Sequence, residues 1–245
     1  MDTFLLSHLL DERNLPLWQS VTQVFPVQVQ PHPRTHHLFS VDECTGYIFL
    51  GENDRTPAPF THELLHLYLR SKRIFLTEFL IRMMRVEPLL HWTFAPSLFE
   101  QVGHSMEHVK MLPLFLRAGM NRTDFTEDFQ LPICNPMLLQ LIEGGLSKPV
   151  PSVISADLFI RTFIRIKCHP DAVVNYGFYL QRLDQINPAL YALLDRFFQA
   201  WQAFNIDAYH PDRNSYTGFS REFTHALGAW TILTIHSKEK KACPI

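Results

Sequence analysis

His62-Glu63-Leu64-Leu65-His66 places two imidazoles four residues apart with a carboxylate beside the first. On an α-helix, residues i and i+4 share a face, so both histidines can offer a nitrogen to one divalent cation. Glu63 is turned about 100° from His62, outside direct coordination but within reach of a bound water. Zinc lowers the pKa of such a water and a neighbouring carboxylate can take its proton, so the pattern encodes two ligands and a general base. The competing reading is a core helix whose histidines hydrogen-bond to neighbours. Thirteen histidines in 245 residues make a chance occurrence easier.

A catalytic zinc needs a third protein ligand and an open fourth position. About forty residues on, GHSMEHVKMLP supplies His104, Glu107 and His108 on a second predicted helix. Glu107 and His108 are adjacent, so they should not both point at one ion. One of them is expected to be the third ligand, with the other behind it. His104 shares a face with His108 and is expected to orient a neighbour from outside the coordination sphere. Among Val102, Met106, Val109 and Leu112, these polar residues could instead form a merely solvated helix face. HSMEH also reads as the inverted HxxEH motif, a less economical second zinc site.

The elements needed to position these groups are partly visible. Residues 3–12 predict a short amphipathic helix stopped by Asn14 and Pro16, and 17–24 a second. FPVQVQP alternates, with Pro31 and Pro33 favouring an edge or loop, and HHLFSV and YIFLGEN flank a Gly46-containing turn in a hairpin pattern. Pro59 suits the first turn of the helix carrying the motif. RIFLTEFLIRMMRVE predicts a helix ending before Pro88. The segment from Pro96 to Gly119 predicts a helix kinked or broken near residue 112 by Pro113, with Gly119 as its C-cap. PMLLQLIEGG, SADLFIRTFIRIKC, PALYALLDRFFQAWQAFN and SREFTHALGAWTILTIHSK are further amphipathic segments. Phe197, Phe198, Trp201 and Phe204 fall at core spacing, Met83 and Met84 read as packing, and Arg161 and Arg165 as a solvated face. The fold class is α+β, mainly helical: a small N-terminal hairpin or sheet on the motif helix, then a helical C-terminal region. A division into 1–120 and 121–245, near the polar NRTDFTEDF, competes with one continuous domain.

Composition removes several classes. A net charge of -2 and a pI near 6.7 give no basic field for nucleic acid. Cys44, Cys134, Cys168 and Cys243 form no CxxC pair, which reads as reduced thiols rather than a disulfide frame. The N-terminus, with acids at position 2 and directly after its short apolar stretch, is unlike a signal peptide. No stretch approaches the roughly 18 apolar residues of a membrane helix. The expectation is a soluble cytoplasmic protein.

The N-terminal half resembles the minimal zincin arrangement, carried by Tyr47–Gly51, His62-Glu63-x-x-His66 and His104–Pro113. It is similar to gluzincin metallopeptidases, whose third ligand is a glutamate, here Glu107. EHVKMLPLFLRAG also resembles uncharacterised bacterial HExxH proteins, in which the histidine, here His108, is the better ligand candidate. The metzincin pattern is absent, since residues 69 and 72 are Leu and Lys. The resemblance implies a zincin-like core over 1–120, a Zn²⁺ cofactor, an intracellular metallopeptidase activity on a peptide or protein, and an edge strand at YIFLGEN that pairs with extended substrate. Tyr209, His210, Tyr216 and His225 are candidate oxyanion donors, each also readable as structural. His36-His37 could approach the metal or form a surface pair. A non-enzymatic helical interaction module, metal-stabilised or metal-free, is the alternative.

Overall fold

The computed structural model describes residues 3–32, 38–42, 45–51, 56–125, 133–171, 174–208 and 215–236, with side chains from residue 6 onward. It is mainly helical, with a small mixed sheet, in agreement with the expected α+β class. The chain divides into two compact units that interleave along the sequence. The first comprises 1–75, 109–130 and 206–211; the second comprises 76–108, 131–205 and 212–245. One of the changes of unit, after Gln130, falls where the polar segment ends.

In the first unit, α1 (Thr3–Leu9) and α2 (Leu15–Thr22) precede β1 (Val27–Pro31), β2 (Leu38–Val41), β3 (Gly46–Leu50) and α3 (Pro57–Ser71). Asn14 explains the break between α1 and α2. Fully buried, it donates through Nδ2 to Leu9 O at 2.8 Å and to Thr61 Oγ1 at 3.0 Å, and its Oδ1 accepts from Asp11 N at 2.9 Å. The amide thus satisfies the end of α1 and ties it to α3. Pro16 does not stop α1; it sits in the first turn of α2, where its missing N–H is harmless.

β3 buries Gly46, Ile48 and Leu50 on one face, and these pack with Leu9, Val21, Val27, Phe60, Leu64 and Leu67. A Cβ at Gly46 would lie 2.7 Å from the Phe25 ring and 3.1 Å from Leu67, so any larger residue there would displace these two side chains. The hairpin expectation holds, with β2 and β3 antiparallel in the register Phe39 to Ile48. The edge-strand expectation for Tyr47–Gly51 does not. The strand order is β1-β3-β2, with β1 pairing parallel to β3 from Val27 opposite Gly46 to Pro31 opposite Leu50. The alternating VQVQP segment therefore covers the side of β3 that the hairpin leaves open. Among the described residues β1, with its terminal Pro31, is itself an edge, a position that proline tolerates.

α3 begins with Pro57 and Pro59 in its first turn and ends in a left-handed residue that is not glycine. Arg73 has φ +60°, its N–H bonds to Arg70 O at 2.8 Å, and the Ile74 N–H bonds to Leu69 O at 2.9 Å. This is a Schellman closure, in which a Cβ is a steric burden. Arg73 is exposed, so Arg73→Gly should raise stability by about 0.5–1 kcal/mol after the extra chain entropy of glycine is deducted. Thermal unfolding checks this, and a lowered Tm would contradict it.

The second unit holds α4 (Leu76–Val86), α5 (Pro88–Thr93), the N-terminal part of α6 (Pro96–Arg117), α7 (Pro136–Leu146), α8 (Val153–Lys167), α9 (Gly177–Ile186), α10 (Pro188–Ala203) and α11 (Tyr216–Thr231), the last running into a π-turn at Ile232–His236. Neither α5 as a separate helix nor α9 is foreseen by the periodicity. The expected aromatic core is present: Phe197, Phe198, Trp201 and Phe204 are all buried, and Phe197 stacks on Phe223 with centroids 4.2 Å apart. Met84 is fully buried. Arg161 is not simply solvated. It pairs with Asp157 one turn back on α8 and donates to Ser97 Oγ at 3.1 Å and to Gln101 on α6.

The break expected near residue 112 is absent; α6 continues unbroken through Pro113. Proline removes one donor, the one aimed at Val109 O, while Met111 and Phe115 on either side are fully buried and hold the helix in place. Gly119 does end it, with φ +79° and a Schellman pair: its own N–H to Leu116 O, and the Met120 N–H to Phe115 O.

Candidate metal centre

Nitrogens of His62, His66 and His108 lie within 4.8 Å of one another. Among the described residues no other group of three histidine, cysteine or carboxylate side chains is close enough to hold a cation. A second site at HxxEH therefore does not form there. His62 and His66 lie one turn apart on α3, with ring centroids 5.2 Å apart and planes at 66°. His108 comes from α6.

Aromatic side chains hold the two α3 imidazoles. Phe39 of β2 stacks flat on His66, centroids 4.3 Å apart and planes within 8°, and Phe125 lies 4.8 Å from His62. Phe125 is in turn fixed edge-on by Phe115 at 5.1 Å. One turn beyond His66, the buried Arg70 guanidinium lies 5.3 Å from the Phe39 ring and donates to Ile74 O at 2.9 Å. His66 is only 4 % exposed, whereas His62, Glu63 and His108 are half-buried. Aromatic rings thus flank both imidazoles of α3, while Glu63 beside them keeps part of its surface exposed.

The donor set fits a zinc ion. Zn–N bonds of about 2.05 Å in a tetrahedron put ligand nitrogens about 3.3 Å apart. A trio within 4.8 Å reaches that spacing by shifts of about 1 Å, the scale of small imidazole rotations. Three imidazoles suit zinc, and also copper, iron or nickel, and among the described residues no fourth histidine, cysteine or carboxylate joins them.

Of the two candidates for third ligand, His108 joins the trio and Glu107 does not. Glu107 is fully buried, and its Oε1 accepts from Thr77 N at 3.2 Å and Thr77 Oγ1 at 3.1 Å, at the start of α4. His104, one turn before His108, is half-buried and outside the trio. Two residues beyond His108, burial holds the Lys110 ammonium below its ordinary pKa.

Of the candidate oxyanion donors, Tyr216 belongs to the aromatic core of the second unit, buried and edge-on to Phe79, Trp201 and Phe204. His225 is exposed on α11. Tyr209, His210, His36 and His37 lie outside the described residues, as do Cys44 and Cys243. Cys134 and Cys168 are free, and burial raises both thiols. No described helix is long and apolar enough to cross a membrane.

Phe39, Phe125 and Arg70 go unnoticed as parts of the site when the sequence is read alone. Arg70 continues the i, i+4 series from His62 and His66, which was a usable signal. The alternation of β2 could have marked Phe39 as facing α3. Phe125 is brought in only by tertiary packing.

Comparison of the chain with protein-family models, with curated proteins and with solved structures found no match.

Proposed function

We propose that the chain is a zinc-dependent hydrolase acting on peptide bonds, with His62, His66 and His108 as ligands and Glu63 as general base. The observation that carries this reading is the convergence of three imidazoles, two of them from HExxH, within 4.8 Å. Zinc in such a site supplies Lewis acidity toward a carbonyl and acidifies water. The chain's own part is to hold the three nitrogens, keep His66 oriented under Phe39, and present Glu63, half-buried beside His62, to take the proton of the attacking water and return it to the leaving amine. An extended substrate would not pair with β3, which is bonded on both sides. β2, bonded to β3 alone among the described residues and packed beside α3 through Phe39, is the strand an extended peptide would join.

A second reading, a protein in which the metal pins α3 to α6 without turnover, is favoured by the near-complete burial of His66 and the covered β3. Elemental analysis of untagged protein should find about one zinc per chain, and chelation should lower Tm. Cleavage of a broad peptide library by the zinc-loaded protein then separates hydrolase from metal-stabilised scaffold. Protein that purifies without metal and does not take up zinc would overturn both.

A further inference from the structure

We infer that Glu107 is a positioning residue for the third ligand: its buried carboxylate locks α6 to the start of α4 and so fixes the helical turn from which His108 projects. This rests on the metal-centre reading above and names what holds that centre in register.

Three observations on α6 converge within six residues. Gly103 faces Thr77 so closely that a Cβ there would lie 2.5 Å from Thr77 Cα and 2.6 Å from Thr77 Oγ1. The lack of a side chain at 103 is therefore what lets α6 approach the α4 backbone. One turn on, the fully buried Glu107 accepts from both Thr77 donors. The Thr77 N–H belongs to the first turn of α4, which has no partner within its own helix, and a carboxylate is the favoured acceptor at that positive end. On the preceding residue, Met106 O accepts from the indole N–H of Trp201, itself fully buried in α10. Residues 103, 106 and 107 are thus all fixed from within the second unit, immediately before His108.

A carboxylate able to ligate metal is thereby committed elsewhere, and the ligand next to it sits on a backbone held at three neighbouring residues. The nitrogens must close by about 1 Å onto a cation, and a helix free to drift by that amount would lose the geometry. Groups behind metal ligands are known to matter at this level, typically 10- to 100-fold in affinity.

Cobalt(II) is the probe, because its visible bands report coordination geometry. Glu107→Ala should weaken cobalt and zinc binding about 10- to 100-fold and alter the cobalt bands. Thr77→Ala, which removes one donor and leaves the N–H bond, should give a smaller change in the same direction. Glu107→Gln, which keeps a carbonyl oxygen for Thr77, should recover most of the affinity. Leu183→Ala, in the fully buried core of α9, is the control for general destabilisation: it should lower Tm and leave the cobalt spectrum unchanged. If wild-type protein binds cobalt and Glu107→Ala and Thr77→Ala bind it with the same affinity and spectrum, the positioning role is refuted while the metal centre stands. If Leu183→Ala disturbs the spectrum as Glu107→Ala does, the effect is only loss of stability and the inference fails. Wild-type protein that binds no cobalt refutes the centre and the inference together.

Discussion

Glu63→Gln should leave zinc bound at unchanged stoichiometry and reduce hydrolysis of a susceptible peptide by about 10³-fold, within the range of general-base contributions. Glutamine has nearly the same shape and still hydrogen-bonds, but it cannot take a proton from water. In the proposed centre the ligands are the imidazoles, and Glu63 is turned about 100° from His62 around α3, so the substitution would touch proton transfer and not coordination. The measurement is single-turnover cleavage with metal content determined on the same sample. Equal rates for variant and wild type would remove Glu63 from the mechanism. An inactive wild type with tightly bound zinc would leave the scaffold reading.

The larger effect on binding is expected at the third ligand. His108→Ala should weaken zinc by about 10³-fold or more, since a three-histidine site becomes two imidazoles on one helix. Glu107, the preceding residue, should not rescue it, because its carboxylate is buried and bonded to Thr77. Stability should follow. A ligand at about 1,000 times its Kd adds about 4 kcal/mol to the folded state, and that increment should vanish in the variant. Calorimetry with and without zinc reads both quantities. His104→Ala is the contrast, expected to keep one zinc per chain. If instead Glu107→Ala abolishes binding while His108→Ala retains it, the assignment is reversed.

Much of the scaffold was legible because it depends on local chemistry. Pro57 and Pro59 start α3, the hairpin shows in alternation around Gly46, and Gly119 ends α6 in the left-handed conformation that glycine permits. Where local rules gave the wrong answer, packing overrode them. Pro113 reads as a breaker, yet the buried Met111 and Phe115 carry α6 through it. Arg161 reads as a surface charge, yet it has carboxylate, amide and hydroxyl partners on α8 and α6. YIFLGEN reads as an edge because nothing local shows that the earlier VQVQP strand returns to pair with it in parallel.

The amino-acid sequence by itself determined which atoms are available: two imidazoles on one face of α3, a carboxylate beside them, and a His/Glu cluster at helical spacing further on. Those follow from residue type and a 3.6-residue repeat, which act over a few ångströms along one chain segment. Only the tertiary structure decided that His108 and not Glu107 completes the trio, because neighbours in sequence point in different directions on a helix. Gly103, Thr77 and Trp201, far apart along the chain, fix which of the two is turned where.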